Sequence, residues 1–275
     1  MRLLYIGDVV GRSGREAVLD RLGELRARLR LDAIVINGEN AAAGFGITRK
    51  ICDAFFEVGC DVITTGNHVW DQRELVGTID AEPRLVRPAN MIPGTPGRGL
   101  AAVTTAAGHR LVVIQVMCRL FMAPGLDDPF RTLADLLRPV VLGGNADAIL
   151  VDLHGEATSE KMALGHFVDG RVSLVAGTHT HVPTADAQVL PGGTAYITDV
   201  GMSGDYDSVI GMEKAISIGR FTSSIPAGRL APASGEATLC AVLVETDPAT
   251  GLARRIAPVR VGGRLQGAFP ESDEP

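Results

Sequence analysis

The sequence predicts an α/β fold in four layers, αββα, in which two β-sheets face each other and helices cover the outer sides. Three observations carry this. Short apolar runs alternate with amphipathic helical stretches through the first half of the 275 residues, the pattern of βαβ units. Those runs are apolar at almost every position, as strands covered on both faces are. Toward the end, strands are joined by short Pro/Gly turns, which adds hairpins to the parallel units.

Arg2 to Gly7 is the first apolar run. Ser13 and Glu16 have capping-box spacing and would open a helix with Val18, Leu22, Leu25 and Leu29 on one face. Asp32 to Asn37 reads as a second strand, and Thr48 as the cap of a helix that turns Ile51, Phe55 and Val58 inward and stops at Gly59. Asp61 to Thr65 is a third strand, followed by Asp71 and Glu74 at capping-box spacing again. Dense Pro and Gly from Glu82 to Gly99 predict an irregular surface excursion. Ala101 to Ala106 and Leu111 to Met117 form a hairpin about Gly108, an irregular stretch runs from Arg119 to Pro129, and a helix follows to about Arg138. Ala146 to Leu153 and Val172 to Ala176 are strands flanking a helix near Thr158 to His166. Two hairpins close the pattern, Ala187–Leu190 with Thr194–Thr198 and Thr238–Glu245 with Leu252–Val261. No linker interrupts the apolar runs, so residues 1–275 are expected to be one domain, folded to about residue 265 with a frayed acidic tail.

A net charge of −6 argues against holding long nucleic acid, which needs a basic stripe; a small anionic ligand remains compatible if metals supply local positive charge. No run approaches the roughly 18 apolar residues of a membrane span, and Asp8 comes too early for a signal-peptide core, so the expected location is the cytoplasm, without membrane contact. Cys52, Cys60, Cys118 and Cys240 are scattered, as buried reduced thiols are. A homo-oligomer is compatible with the sequence, which does not fix subunit number.

The chemistry lies in a repeated pattern: an apolar strand, a turn, then a residue able to bind metal. Asp8, Glu39 with Asn40, Asn67 with His68, His154, and His179 with His181 each stand at the carboxyl end of an expected strand, where ligands bind in open α/β sheets. His179 and His181 would point to one side of an extended segment. Singly, each has an ordinary reading: Asp8 as a cap, Gly66-Asn67-His68 as a turn. Five strand ends carrying ligand-type residues together make that reading hard to sustain. Carboxylates, amide oxygens and imidazoles suit Mn, Fe or Zn better than Ca or Mg. Asp8, Glu39, Asn40, Asn67, His154, His179 and His181 are too many for one tetrahedral ion, whereas two ions sharing a carboxylate would use them all. His109 and His166 read as solvated, Asp186 and Asp199 as either imidazole-orienting or turn residues, and Ala43 to Thr48 as either a ligand approach or a helix-entry turn. Gly7, Gly11 and Gly14 lack the dinucleotide-binding spacing.

Gly7-Asp8, Asn37-Gly38-Glu39-Asn40, Gly66-Asn67-His68, His154-Gly155-Glu156 and Gly177-Thr178-His179-Thr180-His181 resemble the motifs of the calcineurin-like metallophosphoesterases, most closely the bacterial YmdB-type branch. The likeness extends through Arg87-Pro88-Ala89-Asn90, Gly94-Thr95-Pro96-Gly97, Asp127-Asp128-Pro129-Phe130 and Asp199-Val200-Gly201-Met202. Val10 stands where the wider superfamily has a His, and Glu39-Asn40 where it usually has Asp. The exchange of a nitrogen for an amide oxygen hardens the first site toward Fe or Mn, with Zn as the further option.

The resemblance implies a calcineurin-like fold and a phosphodiesterase acting on small nucleotides, 2′,3′-cyclic ones above all. It further implies one metal held by Asp8, Glu39, Asn40 and His181 and a second by Glu39, Asn67, His154 and His179, with Glu39 bridging. A hydroxide between the metals would then attack phosphorus, and His68, next to a ligand but not needed as one, would protonate the leaving oxygen. Two alternatives stay open: a phosphomonoesterase or nucleotidase using the same site, and a metal-binding regulatory protein that recognises nucleotide or RNA with little turnover.

Overall fold

The computed structural model describes residues 1–122, 125–225 and 228–270, so the expected fraying of residues 271–275 lies outside the described residues. One sheet contains strands β1 (Arg2–Ile6), β2 (Ala33–Asn37), β3 (Val62–Thr64) and β4 (Leu85–Val86), all parallel, in that order. The other contains β5 (Leu100–Thr104), β6 (Arg110–Met117), β7 (Ala148–His154), β8 (Leu174–Thr178), β9 (Gln188–Val189) and β10 (Ala195–Ile197) in the order β5-β6-β7-β8-β10-β9. Its four central strands are parallel and the two edges antiparallel. β11 (Gly204–Asp205), β12 (Ala237–Thr246) and β13 (Ala253–Val261) return to the first sheet, where β12 runs antiparallel to β1 and pairs with both β11 and β13. The helices are α1 (Gly11–Leu29), α2 (Arg49–Glu57), α3 (Glu74–Thr78), α4 (Pro129–Leu136), α5 (Thr158–Phe167) and α6 (Lys214–Thr222).

Strand alternation sorts the core into the expected layers. Leu3, Tyr5, Ala33 and Val35 of the first sheet meet Leu111, Val113, Ala148, Leu150, Leu174 and Ala176 of the second between the sheets. The intervening residues, Leu4, Ile6, Ile34 and Ile36, face Val18, Leu22 and Leu25 of α1 and Phe55 of α2. On the opposite outside, Ile114, Ile149, Val151 and Val175 pack against Leu133 of α4 and Leu164 of α5. Covering of both faces explains the near-continuous apolar runs.

Two helix-start expectations change. The Ser13/Glu16 capping box does not form: α1 begins at Gly11 after an extended Val10, and the Ser13 hydroxyl donates to the Ala233 carbonyl at 3.3 Å. The Asp71/Glu74 box does not form either, because Asp71 pairs with His68 at 2.8 Å while Glu74 accepts the Arg49 amide at 2.8 Å, serving the first turn of α2. The sequence reading also placed no helix at α6, whose Ile218 and Phe221 are exposed and so give no core-facing periodicity. Thr48, by contrast, caps α2 by accepting the Ile51 amide at 3.3 Å. Thr48→Ala is therefore expected to cost about 1 kcal/mol in urea unfolding. Ser13→Ala should cost less, since no helix amide loses a partner. The excursion after β4 is pinned by Arg87, whose guanidinium donates to the carbonyls of Pro88, Thr95, Pro96 and Gly97.

Candidate metal centre

Parallel strands in both sheets end along one seam, and every residue singled out as metal-binding stands there. Asp8 follows β1, Glu39 and Asn40 follow β2, and Asn67 and His68 follow β3; His154 ends β7, and His179 and His181 follow β8. Glu39, His154 and His179 bring donor atoms within 4.8 Å of one another, as do Asp8, Glu39 and His181. Glu39 is common to both groups. The amides complete the pattern: Asn67 Oδ1 lies 2.8 Å from His154 Nε2, and Asn40 Oδ1 lies 3.2 Å from His181 Nε2. His68 stands beside the groups and in neither. Its amide reaches Glu39 Oε2 at 3.4 Å, its Nδ1 meets Asp71 Oδ2 at 2.8 Å, and its ring lies edge-on to Phe45.

The residues fit divalent cations. Asp8 Oδ1 is buried without a hydrogen-bond partner. Asn40 Nδ2 donates to the Gly44 carbonyl at 3.0 Å, which leaves Oδ1 facing His181. His181 Nδ1 donates to the Ile210 carbonyl at 2.8 Å, so in the neutral ring the lone pair on Nε2 faces that same Oδ1. Lone pairs aimed at one another in a buried space are what a cation satisfies, and this mixture of nitrogen and oxygen suits first-row transition metals.

The charges are set by burial and by one another. Burial pushes the Asp8 carboxyl up to about 7 against the opposing pull of His181. Burial also raises Glu39, but the His154 imidazole overrides it and holds the carboxyl down to about 2. Burial lowers His154, and Glu39 reverses this, taking it up to about 9. His179 falls to about 3 through burial and then through its neighbour His154.

The loop that carries the last two histidines departs from expectation. His179 and His181 do not share one side of an extended segment; both have left-handed backbones, with φ of 96° and 66°, and they join different groups. Such conformations each cost about 1–3 kcal/mol and persist where surroundings fix them. Here a buried ion pair fixes them. Lys161 Nζ donates to the Thr178 carbonyl at 2.7 Å and to Asp199 Oδ2 at 3.0 Å, and that oxygen accepts the Thr180 amide at 3.0 Å and hydroxyl at 2.8 Å. Asp199 therefore orients backbone between the histidines, not their rings. The Tyr206 hydroxyl adds a contact to the His181 carbonyl at 3.2 Å. Lys161 and Tyr206 were missed; a lysine on the buried face of α5 was the available signal. Asp186 accepts from Thr198 and reaches no imidazole, His109 lies 3.9 Å from Asp32, and His166 is exposed.

Gly66 is where backbone must come closest to the centre. A Cβ there would overlap Glu39 Oε2 and fall 2.6 Å from the His154 ring. Gly66→Ala is therefore expected to displace Glu39 and lower cation binding in titration calorimetry, while Gly77→Ala on α3, where an added Cβ meets nothing, should bind as the parent does.

Residues 4–259 match the family model described as YmdB-like protein. A Bacillus subtilis protein named 2′,3′-cyclic-nucleotide 2′-phosphodiesterase is 47% identical over 256 residues, 93% of this chain and 95% of the relative. A Mycoplasma pneumoniae protein named putative phosphatase/phosphodiesterase is 35% identical over 224 residues, 80% of this chain and 79% of its own. A solved structure of a hypothetical protein from Thermus thermophilus superposes with a TM-score of 0.88 at 44% identity, covering 96% of this chain and 100% of that one. The structure of a novel phosphatase from Mycoplasma pneumoniae superposes with a TM-score of 0.87 at 31% identity, covering 95% and 93%. With the motifs, the two-sheet calcineurin-like architecture and these matches together, the chain belongs to the YmdB-like family.

Proposed function

We propose that the chain is a metal-dependent phosphodiesterase that uses two first-row transition metals, Fe or Mn foremost and Zn as the further option, and hydrolyses 2′,3′-cyclic nucleotides. The observation that carries this is the buried Glu39 carboxylate shared by two ligand groups. Asp8, Glu39, Asn40 and His181 would hold one cation, and Glu39, Asn67, His154 and His179 the other. When bound, such cations neutralise charge on phosphoryl oxygens and lower the pKa of coordinated water from about 15.7 to near 7. His68, tethered through Nδ1 to Asp71, would give a proton from Nε2 to the leaving oxygen. The substrate class follows the name of the Bacillus subtilis relative. The same reading treats residues 1–275 as one catalytic domain and keeps the cytoplasm as its setting; no described helix is long and apolar enough to cross a membrane.

Metal analysis of the purified chain, joined to rates on 2′,3′-cyclic, 3′,5′-cyclic and linear diesters and on nucleoside monophosphates, tests this. Faster turnover of the 2′,3′-cyclic diester than of any monoester is expected. The reverse order would make the protein a phosphomonoesterase, and tight nucleotide binding by metal-replete protein without hydrolysis would make it a regulatory binder.

Binding should also follow pH. Below about pH 7 the cation at the Asp8 site must displace a proton from Asp8, and below about pH 9 the cation at the His154 site must displace one from His154. The affinity of each site is therefore expected to rise with pH by up to about tenfold per unit, as far as about pH 7 at the Asp8 site and about pH 9 at the His154 site. Calorimetry in two buffers of different ionisation enthalpy counts the protons released; no release at pH 6 would contradict the assignment.

A further inference from the structure

Between the apolar inter-sheet core and the metal centre lies a layer of polar side chains on the same inward faces. Asn37 ends β2, Gln115 lies in β6, Asp152 in β7 and Thr178 ends β8; all are fully buried. Asp152 is their common acceptor. Its Oδ2 receives Asn37 Nδ2 at 3.1 Å and Gln115 Nε2 at 2.8 Å, and its Oδ1 receives the Thr178 hydroxyl at 2.7 Å.

The amide orientations are fixed by other bonds. Asn37 Oδ1 accepts the Glu39 amide at 3.0 Å, and Gln115 Oε1 accepts the Thr65 amide at 3.2 Å, so both NH₂ groups must face the carboxylate. A threonine hydroxyl has one hydrogen. Because that hydrogen goes to Asp152, the Thr178 oxygen is an acceptor for His154 Nδ1, 2.9 Å away. His154 then carries its proton on Nδ1 in the neutral ring and turns the Nε2 lone pair toward Glu39 and Asn67. The other carboxylate oxygen holds Asn37, which holds the turn bearing Glu39. A lone carboxylate in the otherwise apolar run Ala148 to Leu153 was the sequence signal.

We infer that Asp152 is a positioning residue for the metal centre, setting the tautomer of His154 through Thr178 and the placement of Glu39 through Asn37. One buried carboxylate thereby prepares a ligand from each sheet. Partners behind metal-bound histidines are commonly worth about 10–100-fold in metal affinity. This inference rests on the two-cation reading of the site.

The test compares the parent chain with Thr178→Val, Thr178→Ser and Asp152→Asn. Mn²⁺ affinity is read by titration calorimetry, and the protonated nitrogen of His154 by two-bond ¹H–¹⁵N NMR of the Zn²⁺-loaded protein. Thr178→Val, which removes the hydroxyl and keeps the shape, is expected to weaken binding at the His154 site by about 10–100-fold and to alter the Nδ1–H signal. Thr178→Ser should restore both. Asp152→Asn should weaken both sites, and if it does not fold the threonine pair still decides. Folded Thr178→Val that binds Mn²⁺ as the parent does, with the same His154 signal, overturns the inference. A parent chain that binds no cation overturns instead the reading beneath it.

Discussion

Glu39→Gln is expected to impair both cation sites at once and to lower diester hydrolysis by about 10²–10³-fold or more, the scale lost with one charge-stabilising group at a reacting centre. The carboxylate is 1% exposed and belongs to both ligand groups, so a neutral amide removes the anion that two dications would share. Glutamine keeps the volume, and the fold should persist. Asn40→Ala should differ, because Asn40 Oδ1 faces His181 Nε2 and in the proposed assignment serves the group containing Asp8 alone. Metal content by mass spectrometry and turnover of an aryl diester measure the contrast. Full metal and full rate in both variants would refute the shared role of Glu39.

The second large effect is expected at His68. If it protonates the leaving oxygen, His68→Ala should keep both cations while turnover of a ribose-derived cyclic diester falls by about 10²–10⁴-fold. A nitrophenolate leaves without help, so an activated aryl diester should lose much less. The environment accords with this role: the ring is partly exposed, tied by Nδ1 to Asp71 and edge-on to Phe45, outside both ligand groups. Asp71→Asn should give a smaller loss with the same dependence on leaving group. Equal losses on the two substrates, with chemistry limiting for both, would leave His68 as a brace for the turn after Gly66. Loss of metal would make it a ligand.

The layers were legible because the central strands are buried on both faces, which writes an unbroken apolar run into each of them, and because α1 and α2 keep one apolar stripe each. The site was legible because its donors stand at strand ends, a position that topology alone brings together. Side-chain partnerships were less so. Ser13-x-x-Glu16 and Asp71-x-x-Glu74 have capping spacing, yet the Ala233 carbonyl, His68 and the Arg49 amide compete for those groups from elsewhere in the chain. The left-handed backbones of His179 and His181 depend on Lys161 and Asp199, a contact across 38 residues that no local pattern encodes. Helix α6 escaped because Ile218 and Phe221 face outward.

The centre is assembled from distant parts of the chain: Asp8, Glu39 and Asn67 come from one sheet, and His154, His179 and His181 from strands completed more than 80 residues later, His154 lying 87 positions beyond Asn67. β1 itself lies between β2 and β12, so the strand carrying Asp8 lacks one neighbour until residues 237–246 exist. A chain emerging from the ribosome N-terminus first therefore presents only fragments of a ligand set during most of its synthesis. On the two-cation reading, cation capture would be a late event, coupled to closure of the two sheets against each other, because the full donor set does not exist before that closure.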